Sequence, residues 1–483
     1  MARLKINRAI AVFILFAAVF LLYAHTLNYG LTYLDDDGLV ANSVTSGKKD
    51  WLYAVFSKDV FLGEGVKSVF YRPLLNLSFA ADGLFRPDGF FVFHLTNVLL
   101  HALFCVILFF FLTEFGIRDK YALAGSFLFA VLPYNAWAVA WLPGRNDILL
   151  SIFALLAVLA AVRWTTGRRG IYIFLFFVFF LLSLFTKETA AAVPAVVFAA
   201  LYLKKGKAVS KDIAFTAALI LPACCFYFLC RAKADILPGS LSMITFRNLL
   251  YLPFFFFSYL FGAARINFTN VFLSYILFIL SFSFFFIKSG DKKLALFCIV
   301  WFFCFFIPPL LNISVFIGDF YLPHRLYLPM AGLILAVCAF FQDMSDKKEK
   351  FKCALFIISA FSLYLMNVAD SARFRDQDCF VQYLDSKDYL PNSGMNYAYM
   401  GIYYFNKGLY RLSEIYLDKA LDRGFTGNGT RVYLACIYLA SGRASGGAGL
   451  LEEEIRENPD SALVKALPDD IKERAGIKAV RRA

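Results

Sequence analysis

Several small groups of polar residues in this chain are of types and spacings that could do chemistry. Asp35, Asp36 and Asp37 are adjacent, and carboxylates so close raise one another's pKa, which suits a base for a hydroxyl proton. Tyr71 and Arg72 precede Pro73, Arg145 and Asp147 close a polar stretch that begins at Pro133, Lys187 adjoins Glu188, and His324 and Arg325 lead into Tyr327. Arginine makes bidentate contacts with phosphate, so these cations could hold an anionic group. His94 and His101 are seven apart, on one face of a helix. Each group also has a plainer reading. The acidic run could be solvated surface, Arg72 a pre-proline turn anchor and Arg145 a helix-start charge. Lys187 and Glu188 could be an interface pair, and the histidines packing or lipid-phosphate contacts.

Those residues need a scaffold, and composition says which kind. Of 483 residues, 60% are hydrophobic, 18% aromatic and 17% charged. A soluble domain carries about 25% charged residues. The apolar residues come in blocks of about twenty, the length a helix needs to cross a bilayer, and basic clusters close the blocks. This excludes a secreted disulfide scaffold, a disordered chain and a cytosolic enzyme. The chain reads as an all-α polytopic membrane protein.

The pattern predicts eleven spans, near 8–27, 91–112, 121–141, 148–163, 171–186, 189–203, 212–230, 271–287, 294–313, 327–342 and 353–369. The first is too long for a signal peptide and lacks a small-x-small cleavage site, so it is expected to be an anchor. The segment 249–265 carries Pro253 and is expected to be re-entrant or interfacial, because a full span there would put Lys288, Lys292 and Lys293 outside. Short loops rich in Lys and Arg stay cytoplasmic. That accounts for most of the net charge of +13 without nucleic acid, and no recognition helix or base-stacking module accompanies the basic clusters. The amino terminus is then inside and everything from Asp370 outside. Asp35 to Asp37, Tyr71-Arg72-Pro73, the stretch from Pro133 to Asp147, Lys187-Glu188 and His324-Arg325 all fall at the outer face, where ionisable residues at membrane depth mark a cavity or a site. Residues 1–369 form the transmembrane domain, with 28–89 its first external loop.

Most of the ten cysteines lie in apolar spans and none forms a CxxC pair; Cys379 and Cys436, in the polar tail, could pair. Residues 370–483 are expected to be a short helical repeat domain. From Tyr397 a 34-residue period aligns Tyr397, Met400, Gly401, Tyr404, Ser413, Leu417 and Ala420 with Arg431, Leu434, Ala435, Tyr438, Gly447 and Leu451, closing at Pro459. This is the tetratricopeptide pattern of paired helices, with Arg431 and Gly447 as poor packing residues in the second unit. Such arrays present a groove for extended peptides, so a polypeptide partner is expected.

The order of motifs resembles the C-type (GT-C) membrane glycosyltransferases, and more narrowly the transmembrane and tetratricopeptide-repeat-containing O-mannosyltransferase group and its bacterial relatives. The residues that carry the resemblance begin with Asp35-Asp36 and Asn42, then Tyr71-Arg72-Pro73-Leu74, then His94-Leu95-Thr96-Asn97 with His101. Ala138-Val139-Ala140-Trp141 with Gly144-Arg145-x-Asp147, Lys187-Glu188 with Pro194, Pro309 with Leu311-Asn312, and Arg325-Leu326-Tyr327-Leu328-Pro329 complete the set. The resemblance implies about eleven spans of GT-C type and an external carboxy terminus. It also implies transfer of a sugar, with inversion, from a polyprenyl-phosphate donor to an acceptor such as a protein Ser or Thr hydroxyl, outside the cytoplasm.

Under that resemblance Asp36 is expected to be the base, with Asp35 its partner or a metal ligand and Asp37 spare. A divalent metal, if used, would fall on Asp35 or Asp36. Arg325 is the first candidate for the donor phosphate, followed by Arg72, Arg145 and Lys187. Further site candidates are Glu188, Asp147, Tyr71, His94, His101 and Tyr327. Animal members carry His and Glu before Ala138-Val139-Ala140-Trp141, where this chain has Leu132, Asn135 and Trp137. The resemblance therefore does not carry mannose or a metal onto this chain, and Glu188 or Asp147 could supply the missing carboxylate. High Phe and Lys content with short loops points to a bacterial inner membrane. The rival readings are a non-catalytic repeat-bearing scaffold and a lipid or sugar transporter, though no repeated halves support the latter.

Overall fold

A computed structural model describes residues 7–32, 35–36, 38–40, 51–62, 68–85, 89–206, 210–236, 253–254, 256–257, 268–311, 323–385, 394–427, 429–459 and 461–476. Asp37, Asn42 and all but four residues of the expected re-entrant segment 249–265 lie outside the described residues. The described residues are helical throughout; the only strand-like feature among them is an isolated bridge between Lys58 and Asp235. The chain is an integral, multi-pass membrane protein.

Each expected span coincides with a helix, but the count of full-length spans is smaller. Among the described residues seven helices are long and apolar enough to cross a membrane: Arg8–Thr26, Phe91–Glu114, Leu142–Gly167, Lys211–Lys233, Lys292–Pro309, Pro323–Asp343 and Glu349–Phe374. A bent pair, Asp119–Ala130 and Pro133–Val139, meets at 59° and would make eight. The others are short: Gly170–Thr186 and the described Phe272–Lys288 are shorter apolar helices, and Val193–Lys205 has 13 residues. Lys187 interrupts the run between the first and last of these, in extended backbone at the end of Gly170–Thr186.

The 59° bend has a covalent cause and a set of polar repairs. Pro133 has no N–H, so helix carbonyls before it lose their usual donors. Asn135 Nδ2 donates to the Phe129 carbonyl at 2.6 Å, Tyr23 Oη to Ala130 at 2.9 Å and Asn367 Nδ2 to Leu132 at 2.8 Å. His101 joins the same repair: its Nε2 lies 3.4 Å from the Ala130 carbonyl, and Tyr327 Oη is 2.6 Å from its Nδ1. With Nε2–H as donor, Nδ1 is left to accept from Tyr327. Five chain segments are thereby pinned at one kink.

The basic clusters tie helix ends together at the end of the molecule remote from that kink. Arg8 pairs with Asp119 at 2.8 Å, Lys120 with Glu349 at 2.8 Å, and Arg168 and Lys205 with the buried Asp212 at 2.6 and 2.9 Å. The exposed members of such pairs add little stability each.

Among the described residues the tail contains two helical hairpins, Gly394–Asn406 with Tyr410–Asp422 and Thr430–Ala440 with Ala444–Glu457, preceded by Gln377–Asp385 and followed by the short helices Ala462–Ala466 and Asp469–Arg474. A Cβ on Gly401 would come within 2.6 Å of Leu417, and one on Gly447 within 2.6 Å of Leu439, so both glycines serve close helix approach. Arg431 is no packing defect: it pairs with Glu457 at 2.6 Å and Glu453 at 3.4 Å across the second hairpin. All ten cysteines are free; Cys379 Sγ accepts from Arg375 at 3.0 Å, and Cys436 packs in the tail's second hydrophobic cluster.

The tail is not a loose appendage. Trp137, Ala140 and Trp141 of the membrane domain share one hydrophobic cluster with Phe374, Phe380, Val381, Tyr399 and Met400. Trp137 meets Phe374 edge to face at 4.9 Å. The end of the first helix and the chain after it are fastened to the same region, with Gly30 N donating to Arg375 O at 2.7 Å and His25 Nε2 2.8 Å from Ser371 Oγ.

Candidate active site

Three cations from distant parts of the chain meet at the kinked end of the bundle. Lys187 leaves its helix at Thr186 and turns its ammonium onto Asp147, in the first turn of Arg145–Gly167, at 2.7 and 2.6 Å to the two oxygens. Asn146 Oδ1 accepts a longer bond from the same ammonium at 3.4 Å. His324 Nε2 lies 3.6 Å from Asp147, and the His324 ring lies 5.1 Å from that of Trp141. Arg72 caps Pro73–Leu84 and pairs with Glu188 at 3.0 Å. Arg325 donates to the Pro309 carbonyl at 3.4 Å, at the proline-bearing end of Lys292–Leu311.

The charges act on one another. Burial pushes the Lys187 ammonium down to about 8 despite Asp147, and Arg72 and Arg325 push it the same way. Asp147, Lys187 and His324 are all buried. Among the described residues Arg72 Nε, Glu188 Oε1, His324 Nδ1 and Trp141 Nε1 are buried without a hydrogen-bond partner. Buried polar atoms are almost always paired, so four such atoms in one charged cluster mark a polar site rather than a packed core.

Arg145 belongs elsewhere. It is wholly buried, its Nη2 2.6 Å from Asp82, with Nε donating to Asn97 Oδ1 at 2.6 Å, Nη2 to the Phe93 carbonyl at 2.8 Å and Nη1 to Ser78 Oγ at 3.3 Å. Its guanidinium also covers the Phe79 ring at 4.2 Å. Its donors are consumed inside the protein, which makes it a structural cation rather than the phosphate contact expected of it. The motif His94-Leu95-Thr96-Asn97 explains the arrangement. Thr96 Oγ1 donates to Asp82 at 2.7 Å, and Asn97 Nδ2 reaches the Val139 and Leu142 carbonyls at 3.2 and 3.3 Å. Gly144 completes the joint, since a Cβ there would lie 2.3 Å from the Trp137 carbonyl.

Asp36 is held by its own loop. Thr32 donates to Asp36 Oδ2 through both N and Oγ1, each at 2.8 Å, and Asp36 is 1% exposed while Asp35 is exposed. Tyr399 Oη, from the first tail hairpin, donates to the Thr32 carbonyl. The residue that orients Asp36 is thus itself held by the tail, through a tyrosine in the same cluster as Trp141, whose ring lies beside His324.

Of the residues expected from sequence, Arg72, Lys187, Glu188, Asp147 and Arg325 come together, while Asp36 is held by Thr32 in its own loop. Tyr71 is buried and donates to the Phe56 carbonyl at 2.9 Å, a structural tie. His101 and Tyr327 serve the kink; His94 is fully buried beside Tyr29, their rings 6.2 Å apart. Sequence reasoning named His324 only as the neighbour of Arg325, and it gave no role to Thr32, Tyr399 or Asp82, which carried no signal. Among the described residues no three His, Cys, Asp or Glu side chains are grouped as for a metal ion.

The motif resemblance is met by known proteins. Protein O-mannosyl-transferase Tmtc1 of Drosophila melanogaster is 33% identical over 180 residues, 36% of this chain and 20% of that protein. Protein O-mannosyl-transferase TMTC1 of Mus musculus is 31% identical over 157 residues, 30% of this chain and 17% of that protein. The chain thus matches about a fifth of the length of these relatives. No family model matches. Among solved structures, ArnT from Cupriavidus metallidurans in the apo state overlays 93% of this chain and 80% of its own, at 13% identity and a TM-score of 0.47, too low a likeness to argue from. The chain is similar to the TMTC group of O-mannosyl-transferases.

Proposed function

We propose that this protein is an integral-membrane glycosyltransferase. It moves a sugar from a polyprenyl-phosphate donor to an acceptor hydroxyl, on a protein Ser or Thr, at the extracytoplasmic face and with inversion. The observation that carries this reading is the convergence of Arg72 and Arg325 on the Lys187 ammonium, from positions more than 250 residues apart in sequence. Asp147 pairs with Lys187 and Glu188 with Arg72, and the cluster lies beside buried, unpartnered polar atoms on Arg72, His324 and Trp141. A phosphate answers the cations and the unpartnered N–H donors of Arg72 and Trp141.

In this reading the acceptor oxygen attacks the anomeric carbon from the side opposite the phosphate. Asp36 takes the hydroxyl proton, the new C–O bond forms, and the bond from the anomeric carbon to the phosphate oxygen breaks with its electron pair leaving on the phosphate. Fixed cations stabilise that growing charge without having to reorganise. The relatives' names support the transferase class, and this chain's Leu132, Asn135 and Trp137 leave the choice of sugar to experiment. No step is assigned to a metal. The two tail hairpins are read as tetratricopeptide units that present a polypeptide acceptor, with the tail outside and the amino terminus inside a bacterial inner membrane.

Affinity for a polyprenyl phosphate, measured on the purified full chain in detergent, tests the reading. Contacts from charged donors contribute about 1.5–3 kcal/mol. Arg325→Ala and Arg72→Ala should therefore each weaken binding by about ten- to a hundredfold. Unchanged affinity in both would place the phosphate elsewhere.

A further inference from the structure

A cavity lies toward the basic end of the bundle, between the helices Asp119–Ala130, Tyr327–Asp343 and Glu349–Ser371. Its volume is about 660 Å³, within the range of sites that hold small molecules. Leu128, Phe341, Phe356 and Leu363 are among its apolar walls, and Lys120, Tyr121, Glu349 and Lys352 lie at the helix ends that form its mouth. From Lys120 to Leu128 and from Lys352 to Leu363 is about 12 and 16 Å along the helix axes, at a rise of about 1.5 Å per residue. The cavity therefore runs from a charged rim into an apolar depth, the proportions of a lipid chain below its headgroup.

The mouth is built. Lys352 is 6% exposed and donates to Tyr121 Oη and the Met344 carbonyl, both at 2.9 Å. Glu349 pairs with Lys120 at 2.8 Å and lies 3.7 Å from Lys352, so two ammoniums share one carboxylate and one positive charge remains. Lys347, Lys348 and Lys350 add to it in the sequence. Basic pockets between membrane helices at a positively charged face recruit anionic headgroups. The same helix exposes Leu355, Ile357 and Ile358, so the cavity continues into an apolar helix face.

We propose that this cavity binds one anionic glycerophospholipid, its phosphate at Lys120 and Lys352 and one acyl chain between the three helices. The site is independent of sugar transfer. Its occupant is distinguished from bulk lipid by preference for negative charge, and from a second copy of this chain by the absence of a lipid-independent dimer.

The test is native mass spectrometry of the purified full chain, titrated with phosphatidylglycerol or phosphatidylcholine. One phosphatidylglycerol should be retained per chain in preference to phosphatidylcholine. Lys120→Gln should lower that retention about fivefold, the worth of one basic residue at an anionic surface, while leaving phosphatidylcholine unaffected. Ser359→Trp, which fills the groove without touching the charges, should abolish it. Equal retention of the two lipids, retention unchanged in Ser359→Trp, or a dimer that survives delipidation would overturn the proposal. Thermal unfolding of each variant, with and without lipid, separates loss of the site from loss of the fold.

Discussion

Lys187 and Asp147, 40 residues apart, form a buried ion pair in which the ammonium meets both carboxylate oxygens at 2.6 and 2.7 Å. The pair joins the start of Arg145–Gly167 to the break after Gly170–Thr186, and it sets one charge of the candidate phosphate site. Breaking such a pair strands the survivor in a low-dielectric interior. Asp147→Asn should therefore cost about 3–5 kcal/mol of stability, read as a lower unfolding midpoint in detergent. Lys187→Arg should retain most of it.

The same pair predicts opposite pH trends for activity and stability. Burial, with Arg72 and Arg325, lowers the Lys187 ammonium from 10.5 to about 8. Raising the pH through about 8 should neutralise Lys187 in the folded protein and weaken its hold on a phosphate, so transfer should fall. Between about 8 and 10.5 the unfolded chain binds the extra proton, so this group's contribution to stability should rise with pH over that window. A pH–rate profile checks the first trend, and Lys187→Arg, which keeps its charge, should carry the alkaline limb upward.

Tyr399 should act on the reaction at a distance. Its hydroxyl holds the Thr32 carbonyl, and Thr32 holds Asp36. Tyr399→Phe removes one hydrogen bond, about 1 kcal/mol of stability, and leaves the aromatic packing in place. Under the proposed role of Asp36, kcat should fall about tenfold, with the affinity for polyprenyl phosphate unchanged. Equal losses in both would make Tyr399 part of the donor site instead.

Arg145 should behave as a structural residue. Arg145→Ala leaves Asp82 buried without its cation, at a cost of about 3–5 kcal/mol, and should lower the folded yield. Lys cannot reproduce the four-way guanidinium contact with Asp82, Asn97, Ser78 and Phe93, so Arg145→Lys should not rescue it. Folded fraction by size-exclusion chromatography reads both variants.

The helices were legible because apolar blocks and basic ends are local signals, and every expected span falls on a helix. Span lengths were less so: an apolar run does not reveal where Lys187 or Pro133 will interrupt it. Arg145 and Lys187 look alike in sequence, each a cation beside a carboxylate. Only the fold separates them, by bringing Asp82, Asn97 and Phe93 around one, and Asp147, Arg72 and Arg325 around the other. The bond from Tyr399 to Thr32 spans 367 positions and leaves no mark in either neighbourhood.

The central claim, sugar transfer at this site, is tested most directly by offering the purified full chain a panel of polyprenyl-phosphate sugars and following release of the polyprenyl phosphate. The native protein should turn over at least one donor, Asp36→Asn should lower that rate by a hundredfold or more, the scale of general-base catalysis, and Arg325→Ala should raise the donor concentration required. Turnover undiminished in Asp36→Asn, or no turnover of any donor by a protein that still binds polyprenyl phosphate, would contradict the account.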